Sequence, residues 1–351
     1  MKLYKILLFA VIAVGLNSCN QRPKQTDGQD NVKYYRNIQF SETPWDLEKG
    51  THLLTEKEAQ TINNYKFTFN ENNQLVSVEY NRNDTLLGYS SIGASKITYT
   101  YEGDKQLKHF FDDKNAPVKN GGASIFEYTL NDSGMRIAMR YLDETGAPVE
   151  NRNKVHNFKW NKLEDGMIQE VRFNLAGENV VMNPFCPFYE LRFSYDENGY
   201  VTRMANYQAD TLYNCTAENC GEIGVSYFSF KNNSFGDLES FSVHNTVGQL
   251  SNLYWGWAKR VNVVDENGYV LESTQFDQDN EYLSGKNIPV TISVYDEHGA
   301  LVKKISMDKD KNIVNNPGNG VAIEVYKYDE LGRRIEALQY DKDEVLVEKK
   351  G

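Results

Sequence analysis

Apolar and polar side chains alternate in short runs along most of this 351-residue chain, and each run stops at a glycine or asparagine. Leu191-Arg192-Phe193-Ser194-Tyr195 is a clear case, with every second residue apolar. That is the period of a strand with one buried face. Asp196-Glu197-Asn198-Gly199 follows. An Asp side chain caps such a turn, and Gly takes a positive φ without steric cost, so a hairpin loop with a type I turn and a Gly bulge is predicted. The chain resumes at Tyr200-Val201-Thr202-Arg203, reaches an aromatic at Tyr207 and meets a second turn. The clearest second turns run from Asp112 to Val118 and from Asp143 to Val149. Phe67 and Phe69, Tyr99 and Tyr101, and Tyr128 and Leu130 alternate in the same way before their turns.

The unit returns about nine times. Its Gly, or an Asn in that place, falls near positions 73, 103, 134, 166, 199, 236, 268, 299 and 332, with gaps of 30 to 37 residues. A fixed period in this range marks an array of one supersecondary unit. A lone hairpin is marginal in water, whereas stacked hairpins bury each other's aromatic faces. The expected fold class is therefore all-β: an elongated or coiled antiparallel β-hairpin repeat array of about nine units of ~31 residues, spanning 65–348. A closed propeller is the alternative, but its blades need about four strands and 40 or more residues each. The sixth unit, Asn232 to Gly248, looks degraded, and an irregular insertion is expected around 209–257. Residues 36–64 form a lead-in, with a short helix expected within 52–62.

The N-terminus breaks the pattern. Lys2 and Lys5 precede an apolar run from Ile6 to Leu16, then Asn17-Ser18-Cys19. The run has 11 residues, while a bilayer span takes about 20. This describes an export signal over 1–18. The junction resembles a bacterial lipobox, which implies lipidation of Cys19 and removal of the signal. Residues 20–31 carry no large apolar side chain, so a flexible tether over 19–35 is expected. No acidic run follows Cys19. The resemblance to lipoproteins therefore favours a lipid-anchored, periplasm-facing position at the outer membrane over surface exposure.

Once Lys2 and Lys5 leave with the signal, 36 basic residues face 49 acidic ones, a net charge of −13. Nucleic acid is therefore excluded as a partner. Beyond Cys19 there are Cys186, Cys215 and Cys220. An exported protein can hold a disulfide. Cys215 and Cys220 are the candidate pair, stapling the longest gap, with Cys186 as a competing partner.

Tyr328-Asp329-Glu330-Leu331-Gly332-Arg333-Arg334-Ile335, with Tyr195-Asp196-Glu197-Asn198-Gly199 and Tyr295-Asp296-Glu297-His298-Gly299, resembles the YD or RHS-type repeats of bacterial surface proteins and toxin shells. The resemblance touches most of residues 65 to 345 and implies β architecture in an extracytoplasmic setting. The period here is longer than in typical YD arrays. Gly351 follows the last repeat directly, so no C-terminal toxin domain is expected.

Motifs for chemistry are sparse. Asp308-Lys309-Asp310-Lys311-Asn312 opens like a calcium loop, but Ile313 stands where Gly is needed and Asn319 where Glu belongs. Second-turn capping explains it better, as it does Asp277 to Glu281. Asp84-Thr85-Leu86 and Asp210-Thr211-Leu212 resemble a short O-glycosylation signal of some Gram-negative bacteria. The five histidines lie in no nucleophile or metal motif, and neither a phosphate loop nor a nucleophile elbow is present. No metal, cofactor or catalytic residue is expected. Tyr254, Trp255 and Trp257 are the candidate ligand-binding residues, as aromatics able to stack on a sugar or peptide; the competing view is that they are buried and plug a break in the array. The functional expectation is a non-catalytic envelope lipoprotein whose β-repeat surface binds a protein or glycan partner. The alternative is an envelope glycan hydrolase using paired Asp and Glu side chains from several repeats.

Overall fold

The computed structural model describes residues 31–39, 44–88, 90–180, 190–213, 225–253, 255–285 and 287–347. It contains 22 strands, all paired antiparallel to neighbours in one sheet. Cys19, Cys186, Cys215, Cys220 and Tyr254 lie outside the described residues, as does most of the expected tether.

Nine hairpins make the array. The first four are Asn64–Phe69 with Leu75–Arg82, Lys96–Glu102 with Lys105–Phe111, Ile125–Leu130 with Arg136–Leu142, and Asn157–Lys162 with Ile168–Phe173. The next three are Glu190–Tyr195 with Val201–Gln208, Tyr227–Asn232 with Leu238–His244, and Lys259–Val264 with Val270–Phe276. The last two are Val290–Tyr295 with Leu301–Met307, and Ile323–Tyr328 with Arg334–Tyr340. Each hairpin pairs with the next, so the nine hairpins form one meander.

The repeated residues have separate physical jobs. All nine expected turn positions have a positive φ, from 58° at Asn73 to 89° at Gly236. The Asp at the turn start caps it: Asp196 Oδ1 accepts from the backbone N–H groups of Asn198 and Tyr200, each at 2.9 Å. In three units the Tyr just before the turn reaches back one hairpin. Tyr101 donates to the Leu75 carbonyl, Tyr295 to Val270 and Tyr328 to Leu301, at 2.8–3.1 Å. Tyr295 and Tyr328 stand where the strand register slips, as expected for a bulge.

The sixth unit is not degraded, contrary to expectation, and residues 227–244 are a regular hairpin within the supposed insertion. Asn233 takes the capping role of Asp, accepting from Phe235 and Asp237 N–H. Asn232 occupies the Tyr position and donates to the Val201 carbonyl at 3.1 Å, the bond a Tyr makes elsewhere. In the seventh unit Val264 holds the Tyr position, and Asn262, two residues earlier, donates to the Leu238 carbonyl at 2.9 Å.

The lead-in also departs from expectation. It forms two strands, β1 (Val32–Ile38) and β2 (Gly50–Leu54), so regular structure begins three residues before the expected end of the tether at 35. β1 pairs with both β2 and the first hairpin. The expected helix is α1 (Glu56–Ala59), a single turn started by a capping box between Thr55 and Glu58. Between β1 and β2, the segment around Trp45 to Glu48 enters the concave face of the first hairpins. Lys108 there is buried and meets Asp46 at 3.0 Å and Glu48. Tyr128 donates to Asp46 and Tyr99 to Glu48. Burial and the two carboxylates push both phenols well above their ordinary range, so they stay protonated as donors. Arg136 fixes the segment by donating to the Trp45 carbonyl at 2.9 Å and to that of Asp46. The aromatic core of the first four hairpins surrounds this network, and a second core fills hairpins five and six. Trp45 stacks on Tyr195 between them, with ring centres 5.9 Å apart.

The sheet coils, and its later turns land on its beginning. Each landing uses the carbonyl of the residue before the turn glycine. That of Asn198 accepts from Lys49 Nζ, Phe235 from His52 N–H, His298 from Asn63 N–H and Leu331 from Gly88 N–H, all at 2.7–2.9 Å. Arg82 adds a bond to the Glu330 carbonyl at 2.7 Å, and Arg333 pairs with Asp113. These contacts form a seam between hairpins five, six, eight and nine and the N-terminal part of the sheet.

Two comparisons test this. Gly299 and Gly166 both have positive φ, at 76° and 85°. A Cβ on Gly299 would stand 2.0 Å from Arg36 Nη2, whereas one on Gly166 meets nothing within 4 Å. Gly166→Ala should cost about 1 kcal/mol, and Gly299→Ala a further ~1–3 kcal/mol from overpacking, read by urea unfolding. Lys108→Met strands two carboxylates in the concave face and should cost about 3–5 kcal/mol by the same measurement.

Candidate functional site

The seam encloses a partly open cavity of about 380 Å³. One wall is the lead-in and first hairpin, from Arg36 to Gln39, Thr51, Asn63, Tyr65 and Tyr80. The other is made by the tips of hairpins five to eight: Val201, Asp237 with Leu238, and Tyr269 with Val270 just after their turns, and Tyr295 with Gly299. The size is within the ~300–1,000 Å³ range of small-ligand pockets.

Arg36 is the central group. It is 6% exposed. Its Nη1 donates to the Asn63 carbonyl at 2.7 Å and its Nη2 to the Gly299 carbonyl at 3.0 Å. The guanidinium lies over the Tyr269 ring at 3.9 Å. Burial lowers its pKa from the ordinary arginine value, and Tyr269 is the largest opposing influence. It still remains a cation, because arginine starts so high. Burial raises the Tyr80, Tyr269 and Tyr295 phenols, which stay protonated. Across the cavity, Asp237 Oδ2 meets His52 Nδ1 at 3.0 Å and accepts from Asn233 Nδ2 at 3.1 Å. His52 holds a positive φ of 56°, which places its ring against Asp237 and, at 4.9 Å, the Phe235 ring.

Three residues lining the cavity keep one buried polar atom without a partner: Arg36 Nε, Gln39 Oε1 and Asp237 Oδ1. Such atoms cost about 1–3 kcal/mol each when left unmade. Asp237 is the one acidic residue among the described residues that line the cavity. A smaller hollow of about 320 Å³ at hairpins eight and nine contains Asp296, Asp329 and Glu330. There the Asp296 and Asp329 side chains cap their own turns.

The aromatic pair singled out in the sequence lies elsewhere. Trp257 is 8% exposed, meets Phe241 edge-on at 5.5 Å and carries Arg260 over its face at 4.7 Å. Trp255 is half-buried against the second core and donates its Nε1–H to the Trp257 carbonyl at 2.9 Å. Both tryptophans pack against the second core, Trp257 fully and Trp255 in part. The calcium-like turns are caps: Asp308 accepts from Asp310 and Asn312 N–H, and Asp277 from Asp279 and Glu281 N–H. Thr85 and Thr211 are exposed in two-residue strands at their second turns. Of the polar groups lining the cavity, Tyr295 and Asn232 stand in the sequence pattern only as repeat positions, and none as a candidate site residue. Arg36 follows Lys33-Tyr34-Tyr35 in a run with no apolar–polar alternation, so its neighbours carry no signal of a buried strand.

Arg36→Met removes both carbonyl bonds and should destabilise the chain by about 3 kcal/mol, since each bond to a charged donor contributes ~1.5–3 kcal/mol before relaxation. Arg36→Lys keeps the charge but not the planar fork and should fall between the two. Urea unfolding midpoints check both.

No protein-family model and no curated protein matches the chain. Among solved structures, similarity is found to the crystal structure of TcdB2-TccC3-TEV, at 12% identity and a TM-score of 0.27, over 84% of this chain and 14% of that one. The Photorhabdus luminescens Tc holotoxin pore matches at 12% identity and a TM-score of 0.25, over 89% of this chain and 18% of that one. A porin-like protein from Bacteroides uniformis matches at 10% identity and a TM-score of 0.21, over 79% and 88% of the respective chains. This chain thus spans less than a fifth of the length of the Tc chains it matches.

Proposed function

We propose that this protein is a non-catalytic envelope lipoprotein, anchored through Cys19 at the periplasm-facing side of a bacterial outer membrane, whose coiled β array binds a protein or glycan partner. The observation that carries the binding role is the seam cavity of about 380 Å³, which Arg36, Asp237 and several aromatic side chains line from both walls. A binding surface needs polar groups in fixed positions, and the seam holds Arg36 on β1 and Asp237 directly after the sixth turn. The run from Ile6 to Leu16 and the following Asn17-Ser18-Cys19 support the anchor. More than one acyl chain at Cys19 would give stable attachment.

Expression with Cys19→Ser is expected to move the protein from the detergent phase of envelope fractions to the soluble phase. Unchanged partitioning would remove the anchor from this proposal. A pull-down of the lipidated protein from its own envelope is expected to retain a specific glycan or protein. Turnover of an envelope glycan that is lost when an acidic residue is changed to its amide would favour a hydrolase instead.

A further inference from the structure

Asp-Thr-Leu occurs twice in the chain, at 84–86 and 210–212, and both copies adopt one conformation. Each follows the second strand of its hairpin, in units one and five. Asn83 and Asp84 have φ values of 49° and 55°, and Ala209 and Asp210 of 48° and 61°. Two consecutive positive values make a type I′ turn. Thr85 closes it opposite Arg82, and Thr211 opposite Gln208. Each Asp is held by a cation from the third position of the hairpin's first strand: Asp84 by Lys66 at 2.7 Å, Asp210 by Arg192. Each Thr Oγ1 stands 3.5 Å from the carbonyl oxygen two residues earlier, too far for a good hydroxyl bond. Asn83, Asp84 and Thr85 are exposed, as are Ala209, Asp210 and Thr211. The repeat itself does not require this shape, because Asp112, Asp143, Asp277 and Asp308 cap second turns of another kind. The ion pair accounts for the Asp, but nothing in either turn uses the threonine hydroxyl, and Val would suit the strand as well.

We propose that Thr85 and Thr211 are a matched pair of O-glycosylation sites, each an exposed threonine presented directly after the Asp of a type I′ turn. The proposal rests on the envelope setting above and adds a covalent modification to it. In the transfer, Thr Oγ1 attacks the anomeric carbon of a glycosyl diphosphate. A C–O bond forms there, the bond to the diphosphate breaks, and the diphosphate leaves with its electron pair. The hydroxyl proton passes to a base of the transferring enzyme. A sugar is favoured over a phosphate because the neighbouring carboxylate would repel a phosphate's added charge. The two turns share backbone shape, ion pair and hydroxyl position, so an enzyme that reads one of them must read the other.

The test is mass spectrometry of the full chain purified from its own envelope, intact and after proteolysis. The wild type should carry a mass made of sugar residues on the peptide with Thr85 and the same mass on the peptide with Thr211. Thr85→Val and Thr211→Val should each lose one of the two, and the double variant both. Thr85→Ser keeps a hydroxyl and should keep the sugar. Both threonines are exposed, so the valine variants should fold with unchanged urea midpoints. The assignment is overturned if neither peptide carries a sugar, if only one does, or if the added mass is that of phosphate. It is also overturned if the sugar persists in the double variant. The intact mass separates this from the anchor, because a lipidated chain begins at Cys19. Bare threonines on a chain that begins at Cys19 would overturn the modification and leave the envelope setting standing. Bare threonines on a chain that keeps residues 1–18 would overturn both.

Discussion

The carbonyl that precedes each turn glycine is the group on which the coil depends. The tight turn satisfies its own Asp carbonyl and first N–H, as in the reciprocal pair between Asp196 and Gly199 and between Asp196 and Tyr200. It leaves the carbonyl of the third residue pointing outward. On a solvated tip water would take it. In hairpins five, six, eight and nine, a donor from the N-terminal part of the chain takes it instead. Four such bonds, each modest alone, align the second half of the sheet over the first. Everything enclosed by the seam follows from that alignment, including the cavity and the burial of Arg36.

The landing sites are heterogeneous, which explains why the lead-in is needed. Lys49 reaches its carbonyl with a side chain, while His52, Asn63 and Gly88 use backbone N–H groups. His52 offers its N–H by adopting a positive φ of 56°, an uncommon conformation for a residue of this size. The strain is held by the Asp237 bond and the Phe235 ring contact. Inside the coil, the Trp45 to Glu48 segment does the opposite job, bringing carboxylates to Lys108 and carbonyls to Arg136 so that neither buried cation is left alone.

The hairpins were legible in the sequence because their determinants are local. Positive φ at Gly199, capping by Asp196 and alternation in Leu191 to Tyr195 all act within ten residues. The sixth hairpin was misjudged for a related reason. Asn232 and Asn233 replace Tyr and Asp with residues that make the same bonds, so chemistry persists where the motif does not. Reading each position by the bond it must make, rather than by its letter, would have recovered it. The site was not legible. Arg36 and Gly299 are 263 positions apart, and nothing in the residues near either one indicates the other. The lead-in strand was hidden in part by its neighbour in sequence: a run without large apolar side chains, 20–31, leads directly into Val32.

The landing pattern has an evolutionary consequence. Tandem arrays change length by duplication and loss of whole units, and a simple stack tolerates this because each unit contacts only its neighbours. This coil does not have that freedom everywhere. A hairpin gained or lost between the second and the fifth would shift every later tip by one berth, so Phe235 would no longer meet His52 and Gly299 would no longer meet Arg36. A hairpin gained after the ninth would disturb none of these contacts. Change in repeat number is therefore confined by geometry to one end of the molecule, while the interior is held to a fixed count.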